Sequence, residues 1–134
     1  MAKWYLNEAR SEDVEEYLRQ VCPVYISLLT KAEMRSLMAR RRREGHVDPD
    51  TQAKVLATFE VDIAMGHLVV LPHTAESFLI GEFLLGAHPD VPLRTVDALH
   101  LGVMRSSGVT TLATADRVMA QAAAALGMDC RIFF

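Results

Sequence analysis

A chain of 134 residues has the length of one domain and is long enough to bury a core between a sheet and several helices. Hydrophobic residues make up 51% and charged residues 23%, which excludes a disordered chain held open by its own charge. The net charge of −3 excludes a nucleic-acid binder that works through bulk positive charge, so any such binding needs a local patch.

The chain enters a helix almost at once, through Met1-Ala2-Lys3-Trp4-Tyr5-Leu6. Ser11 reads as an N-cap with Glu12 and Asp13 in the first turn, where negative charge suits the helix dipole. Val14, Tyr17, Leu18 and Val21 follow at helical spacing, and Pro23 ends that helix. Val24 to Ser27 is short, β-branched and aromatic, which predicts a buried strand. A long helix is predicted from about Leu29 to Glu44, closed by Gly45. Asp48-Pro49 caps the next helix, which carries Val55, Leu56, Phe59 and Ile63 on one face and stops at Gly66. His67 to Leu71 reads as a second strand, and Pro72 and Thr74 lead into a strongly apolar helix through Leu85.

Thr95 or a near neighbour opens a helix to about Ser106, after a loop bracketed by Pro89 and Pro92. Gly108 precedes a strand from Val109 to Ala113. Asp116 starts a helix that runs to Leu126 and is capped by Gly127, and a last strand lies near Cys130 to Phe133. Strands that alternate with helices and read as apolar on both faces predict an α/β fold with three layers (α/β/α) and a mostly parallel sheet. No repeat, linker or low-complexity tract divides the chain, so residues 1–134 are expected to form a single domain. Sites in such sheets form at the carboxyl ends of strands.

Cys22 and Cys130 cannot build a disulfide framework and suit a reducing compartment. No basic-then-apolar leader opens the chain, and its apolar stretches are broken by Glu or Gly before membrane-spanning length. A cytoplasmic protein without a membrane partner is expected. The five histidines, His46, His67, His73, His88 and His100, show no zinc spacing. Nucleophile elbows, Walker loops and dinucleotide fingerprints are absent.

Three acids break the polar/apolar pattern. Glu33 has Leu29 and Leu37 at i−4 and i+4, which predicts a place along the buried stripe of its helix. Lys31 and Arg35 point elsewhere and are awkward partners for it. Asp97 has Leu93, Leu101 and Met104 on its face. It also lies in a first helical turn, where a carboxylate suits the dipole. Asp116 follows a predicted strand at the carboxyl edge of the sheet, where it is equally well placed as a helix N-cap. Carboxylates brought close together repel unless a cation joins them. Oxygen-only ligands favour Mg²⁺ or Mn²⁺, which can activate water and neutralise a phosphodiester under in-line attack. His100, three residues after Asp97, neighbours this region or makes a structural hydrogen bond.

The segment Leu93-Arg94-Thr95-Val96-Asp97-Ala98-Leu99-His100-Leu101 resembles the LDALHLA segment of PIN-domain nucleases. Thr111 to Arg117 resembles their L-x-T-x-D segment, and Ile26 to Glu33 their second acidic helix. Arg41 to Gly45 is similar to a run common in VapC-type toxins, and Ala2 to Glu8 to the segment after the family's first strand. The resemblance implies a metal-dependent endoribonuclease, the toxin of a bacterial toxin–antitoxin pair. Glu33, Asp97 and Asp116 would be catalytic and metal-site acids, with Thr114 in support. It further implies Mg²⁺ or Mn²⁺ as cofactor, RNA as substrate, an antitoxin protein as partner and a homodimer. The family's first strand ends in a ligand Asp, and this chain starts after that place. A natural reading frame about ten residues longer, one strand and its turn, is therefore expected.

Arg40 to Arg43, with Arg35 one turn earlier, is the basic cluster. It reads either as a solvated helix end or as contacts to RNA phosphates or an acidic partner. Phe78, Leu79, Ile80, Phe83, Leu84 and Leu85 leave little polar face on their helix, which predicts deep burial or an interface. Trp4, Tyr5 and Leu6 are core residues or the lining of an antitoxin groove. A non-catalytic PIN-like module that docks a partner is the second reading of function. A receiver-type phosphoacceptor is disfavoured, because no Lys follows a late strand.

Overall fold

The computed structural model describes all 134 residues, which group into two compact units, Met1–Val70 and Leu71–Phe134. The first unit begins with the helices α1 (Ala2–Tyr5) and α2 (Ser11–Gln20). Strand β1 (Val24–Ser27) and the helices α3 (Leu28–Arg43) and α4 (Pro49–Ala64) follow, and β2 (Leu68–Leu71) closes it. Its core gathers Ile26, Met34, Phe59 and Leu68, with Trp4, Tyr5, Val55 and Ile63 packed around them. Trp4 and Tyr5 are half-buried against this core, and the Tyr5 ring meets Phe59 edge-on at 5.7 Å. Strands β1 and β2 pair, and the Val24 N–H donates to the His67 carbonyl at 2.9 Å.

Local signals explain most of these boundaries. Asp48 accepts from the Thr51 N–H at 2.6 Å, and Pro49 begins α4 where a missing N–H costs nothing. Gly45 and Gly66 take positive φ at the ends of α3 and α4, a backbone shape that suits glycine. Ser11 departs from expectation. It is the first residue of α2, and Arg10, at φ 64, is the cap. The Ser11 hydroxyl accepts from the Glu8 N–H and donates to the Leu6 carbonyl, both at 2.9 Å, so it ties the preceding turn.

The arginines at the end of α3 are partly engaged within this unit. Arg41 is ion-paired with Glu8, Arg42 donates to the Gln52 side-chain Oε1 at 3.1 Å, and Arg35 meets Glu60 at 3.0 Å. Arg40 and Arg43 are exposed.

The second unit contains α5 (Ala75–Ala87), α6 (Thr95–Ser106), β3 (Thr111–Thr114), α7 (Arg117–Ala125) and β4 (Asp129–Ile132). Strands β3 and β4 pair in parallel, from Thr111 opposite Asp129 to Thr114 opposite Ile132. A parallel pair needs a crossover, which α7 provides. Leu84, Leu101 and Ala122 form the core, with Leu112 and Met119 against it.

The mixed, mostly helical α/β make-up agrees with expectation. The strands pair as β1 with β2 and β3 with β4. Not all strands are buried on both faces. Exposure alternates along β3, with Leu112 half-buried opposite the half-buried Cys130, while Asp129, Arg131 and Ile132 of β4 are exposed. The alternation along β3 is the period of two that marks a one-sided strand. The apolar helix α5 is likewise one-sided. Ser77, Gly81 and Leu84 are buried, while Phe78, Leu79 and Phe83 are 52%, 65% and 67% exposed.

Helices α5 and α6 make the most extensive element pairing in the chain. The pairing depends on glycine. A Cβ at Gly102 would lie 2.2 Å from the Ser77 carbonyl oxygen, and one at Gly81 3.1 Å from the Ala98 carbonyl oxygen. Ser77 is fully buried and exchanges hydrogen bonds with the Thr74 cap. Helix α6, which carries Asp97, is thereby seated directly against the backbone of α5.

Candidate active site

Asp97 and Asp116 lie in the second unit, each at the start of a helix. Asp97 is the third residue of α6, and its Oδ2 accepts the Arg94 backbone N–H at 3.3 Å. Its side chain is only 15% exposed, in keeping with the buried Ala98, Leu101 and Met104 that follow. The apolar face read from the sequence is therefore present, and the first-turn position suits the negative charge.

Asp116 is the N-cap of α7. Its Oδ1 accepts from the Val118 N–H at 2.7 Å and the Met119 N–H at 3.1 Å. Thr114, the last residue of β3, accepts the Asp116 N–H on Oγ1 at 3.0 Å. The strand end, the turn and the helix start are thus tied together at the carboxyl edge of β3. The capping role foreseen for Asp116 occupies Oδ1 and leaves Oδ2 facing elsewhere.

Arg94, the residue before α6, joins the two acids. Its Nε lies 3.5 Å from Asp97 Oδ2, and its Nη2 lies 3.6 Å from Asp116 Oδ2. One guanidinium thus faces an oxygen of each carboxylate. Sequence reasoning passed over Arg94, although a cation three residues before an acid at a helix start is a readable signal. The two Oδ2 atoms are hard oxygen donors that already converge on a positive charge, the donor type that divalent cations take. Neither unit brings together three or more His, Cys, Asp or Glu side chains in metal-holding geometry.

Glu33 lies in the first unit, on α3. It is exposed, which corrects the expectation of a buried carboxylate. The buried stripe of α3 is Thr30, Met34 and Met38, and Leu29 and Leu37 are only half-buried. A helix turns by about 100° per residue, so one position off the stripe is enough to bring Glu33 to solvent. Lys31 and Arg35 do find an acid on the neighbouring helix. Both pair with Glu60, at 2.9 and 3.0 Å. The Lys31 hydrogen bond, against the opposing effect of burial, holds the Glu60 carboxyl below its ordinary range.

Besides Asp97, the second unit holds the half-buried His73 and His100, the latter on the same helix. His100, half-buried, follows on α6. His73 packs edge-on against Phe78 at 5.6 Å, with both ring nitrogens buried and without a protein hydrogen-bond partner. Burial, and then the charge of His100, lowers the His73 pKa. In the first unit Tyr5 donates to Asp62 Oδ2 at 2.6 Å, and Asp62 Oδ1 lies 3.3 Å from His67 Nδ1. Burial and the Asp62 carboxylate raise the Tyr5 pKa, so the phenol stays protonated. A surface concavity of about 300 Å³ along α2, lined by Glu12, Glu15, Glu16, Arg19 and Gln20, carries none of the candidate acids. No helix is long and apolar enough to cross a membrane.

Residues 1–125 match the sequence model of the PIN domain. No curated protein and no solved structure matches the chain.

Proposed function

The chain belongs to the PIN domain family, whose members are generally nucleases, and from that premise we propose that it is a metal-dependent endoribonuclease acting as the VapC-type toxin of a bacterial toxin–antitoxin pair. The observation that carries the proposal is the convergence of Asp97 Oδ2 and Asp116 Oδ2 on one positive charge. Each carboxylate also serves the start of its own helix, and backbone hydrogen bonds hold both in place.

Asp97 and Asp116 would hold Mg²⁺ or Mn²⁺. When bound, such an ion supplies a nucleophilic water at neutral pH and neutralises charge on the phosphodiester. The residues of the chain do the positioning. Asp97 is fixed by its first-turn hydrogen bond and its partial burial. Thr114 fixes the Asp116 turn, and the α7 amides hold Asp116 by its other oxygen. Glu33 stays in the proposal as a third acid on the likeness of its segment alone. RNA as substrate, an antitoxin as partner, a homodimer and a cytoplasmic setting belong to the same reading.

The test is cleavage of RNA by the wild type and by Asp97→Asn, with Mg²⁺ or Mn²⁺ and with EDTA. Loss of several kcal/mol of charge stabilisation predicts a fall of about a hundredfold or more in Asp97→Asn. Cleavage that survives both the substitution and the chelator refutes the proposal. A wild type that binds a partner protein but cleaves no RNA is instead a PIN-like docking module.

A further inference from the structure

The two acids and Arg94 differ in how firmly they are held. Asp97 is mostly buried and tied to the backbone. Asp116 is anchored through Oδ1 by two amides of α7, so its Oδ2 can change partner without loss of the helix cap. The Arg94 side chain, by contrast, is 74% exposed. Its contacts of 3.5 and 3.6 Å are ion pairs longer than good hydrogen bonds. The anions are fixed and the cation is free to swing into water. Without a cation between them the two carboxylates would repel each other.

We propose that Arg94 is the exchangeable counter-ion of the Asp97–Asp116 pair, occupying the two Oδ2 atoms and yielding them when a divalent cation arrives. It thereby sets the divalent-ion concentration at which the site loads. This rests on the metal-dependent reading of the same acids. Exposed ion pairs are weak individually, so the competition is modest and the exchange is easily reversed.

The test is Mn²⁺ binding to the full chain by calorimetry at low ionic strength, in the wild type, Arg94→Gln and Arg105→Gln. Arg105 is exposed at the far end of the same helix and controls for overall charge. Arg94→Gln is expected to bind Mn²⁺ about three- to tenfold more tightly, with Arg105→Gln unchanged. Adding Asp97→Asn to either protein should remove the binding. Equal affinity in the wild type and Arg94→Gln overturns the exchange while leaving the nuclease reading intact. Equal tightening by Arg105→Gln overturns it in favour of bulk charge. No Mn²⁺ binding by either the wild type or Arg94→Gln overturns it together with the metal-dependent reading. Arg94→Gln leaves the backbone donor to Asp97 in place, and its circular dichroism should match the wild type.

Discussion

Replacing Gly102 with Ala tests whether the seating of α6 on α5 is as close as described. The new Cβ would stand 2.2 Å from the Ser77 carbonyl oxygen and 3.1 Å from the Gly81 nitrogen. Ordinary contact begins near 3.4 Å, so the helices must part by about 1 Å. The obstacle is backbone, and no rotamer change relieves it. Overpacking of a tight core costs about 1–3 kcal/mol, and a rigid neighbour puts this case near the upper figure. Alanine regains about 1 kcal/mol over glycine within a helix, which leaves a net loss of about 2 kcal/mol. The same change elsewhere on these helices calibrates the result. Gly86 has nothing within 4 Å of its would-be Cβ, so Gly86→Ala should gain about 0.4–1 kcal/mol. Gly81→Ala, with contacts of 3.1 and 3.3 Å, should fall between the two. Urea unfolding followed by circular dichroism measures all three, because the single tryptophan, Trp4, lies in the other unit. A Gly102→Ala protein as stable as Gly86→Ala would refute the close approach of the helices.

Asp116→Ala should lose about 1 kcal/mol in the same unfolding assay through the missing helix cap. Asp116→Asn keeps the capping oxygen and should restore that stability without restoring RNA cleavage, so a cleaving Asp116→Asn would remove the carboxylate from the chemistry. His73, half-buried with both ring nitrogens shielded from solvent, has a pKa held below 6.5 by burial and then by His100. Below pH 6.5 the unfolded chain takes up a proton there that the folded chain refuses, so stability falls as the pH drops from 6.5 toward the lowered value and is restored as it rises. His73→Gln should flatten that part of the stability profile between pH 5.5 and 7.5, and an unchanged slope would show that other groups carry it.

Much of the fold was legible because its punctuation is local. Asp48-Pro49, Thr74, Gly45, Gly66, Asp116 and Gly127 each mark an element end through one or two residues, and the structure places a boundary at every one. The sheet was less legible, since strands of four residues are too short for periodicity to separate one-sided from two-sided burial. Glu33 shows the same limit on a helix. Apolar neighbours at i±4 placed it on a stripe whose buried edge runs one residue away. Asp97 and Asp116 were visible as misplaced acids, but their common partner was not. That Arg94 reaches both depends on how the start of α6 lies beside the start of α7, which is a tertiary relation.

The arginines that close α3 bear on how this chain would respond to salt in the presence of RNA. Of the five, Arg35 and Arg41 are already neutralised by Glu60 and Glu8. Three uncompensated charges remain for phosphates, since Arg42 meets only the neutral Gln52. A single strand held by that helix end would release few counterions. Its log affinity would fall with log salt at a slope of about −2, where five available charges would give about −3.5.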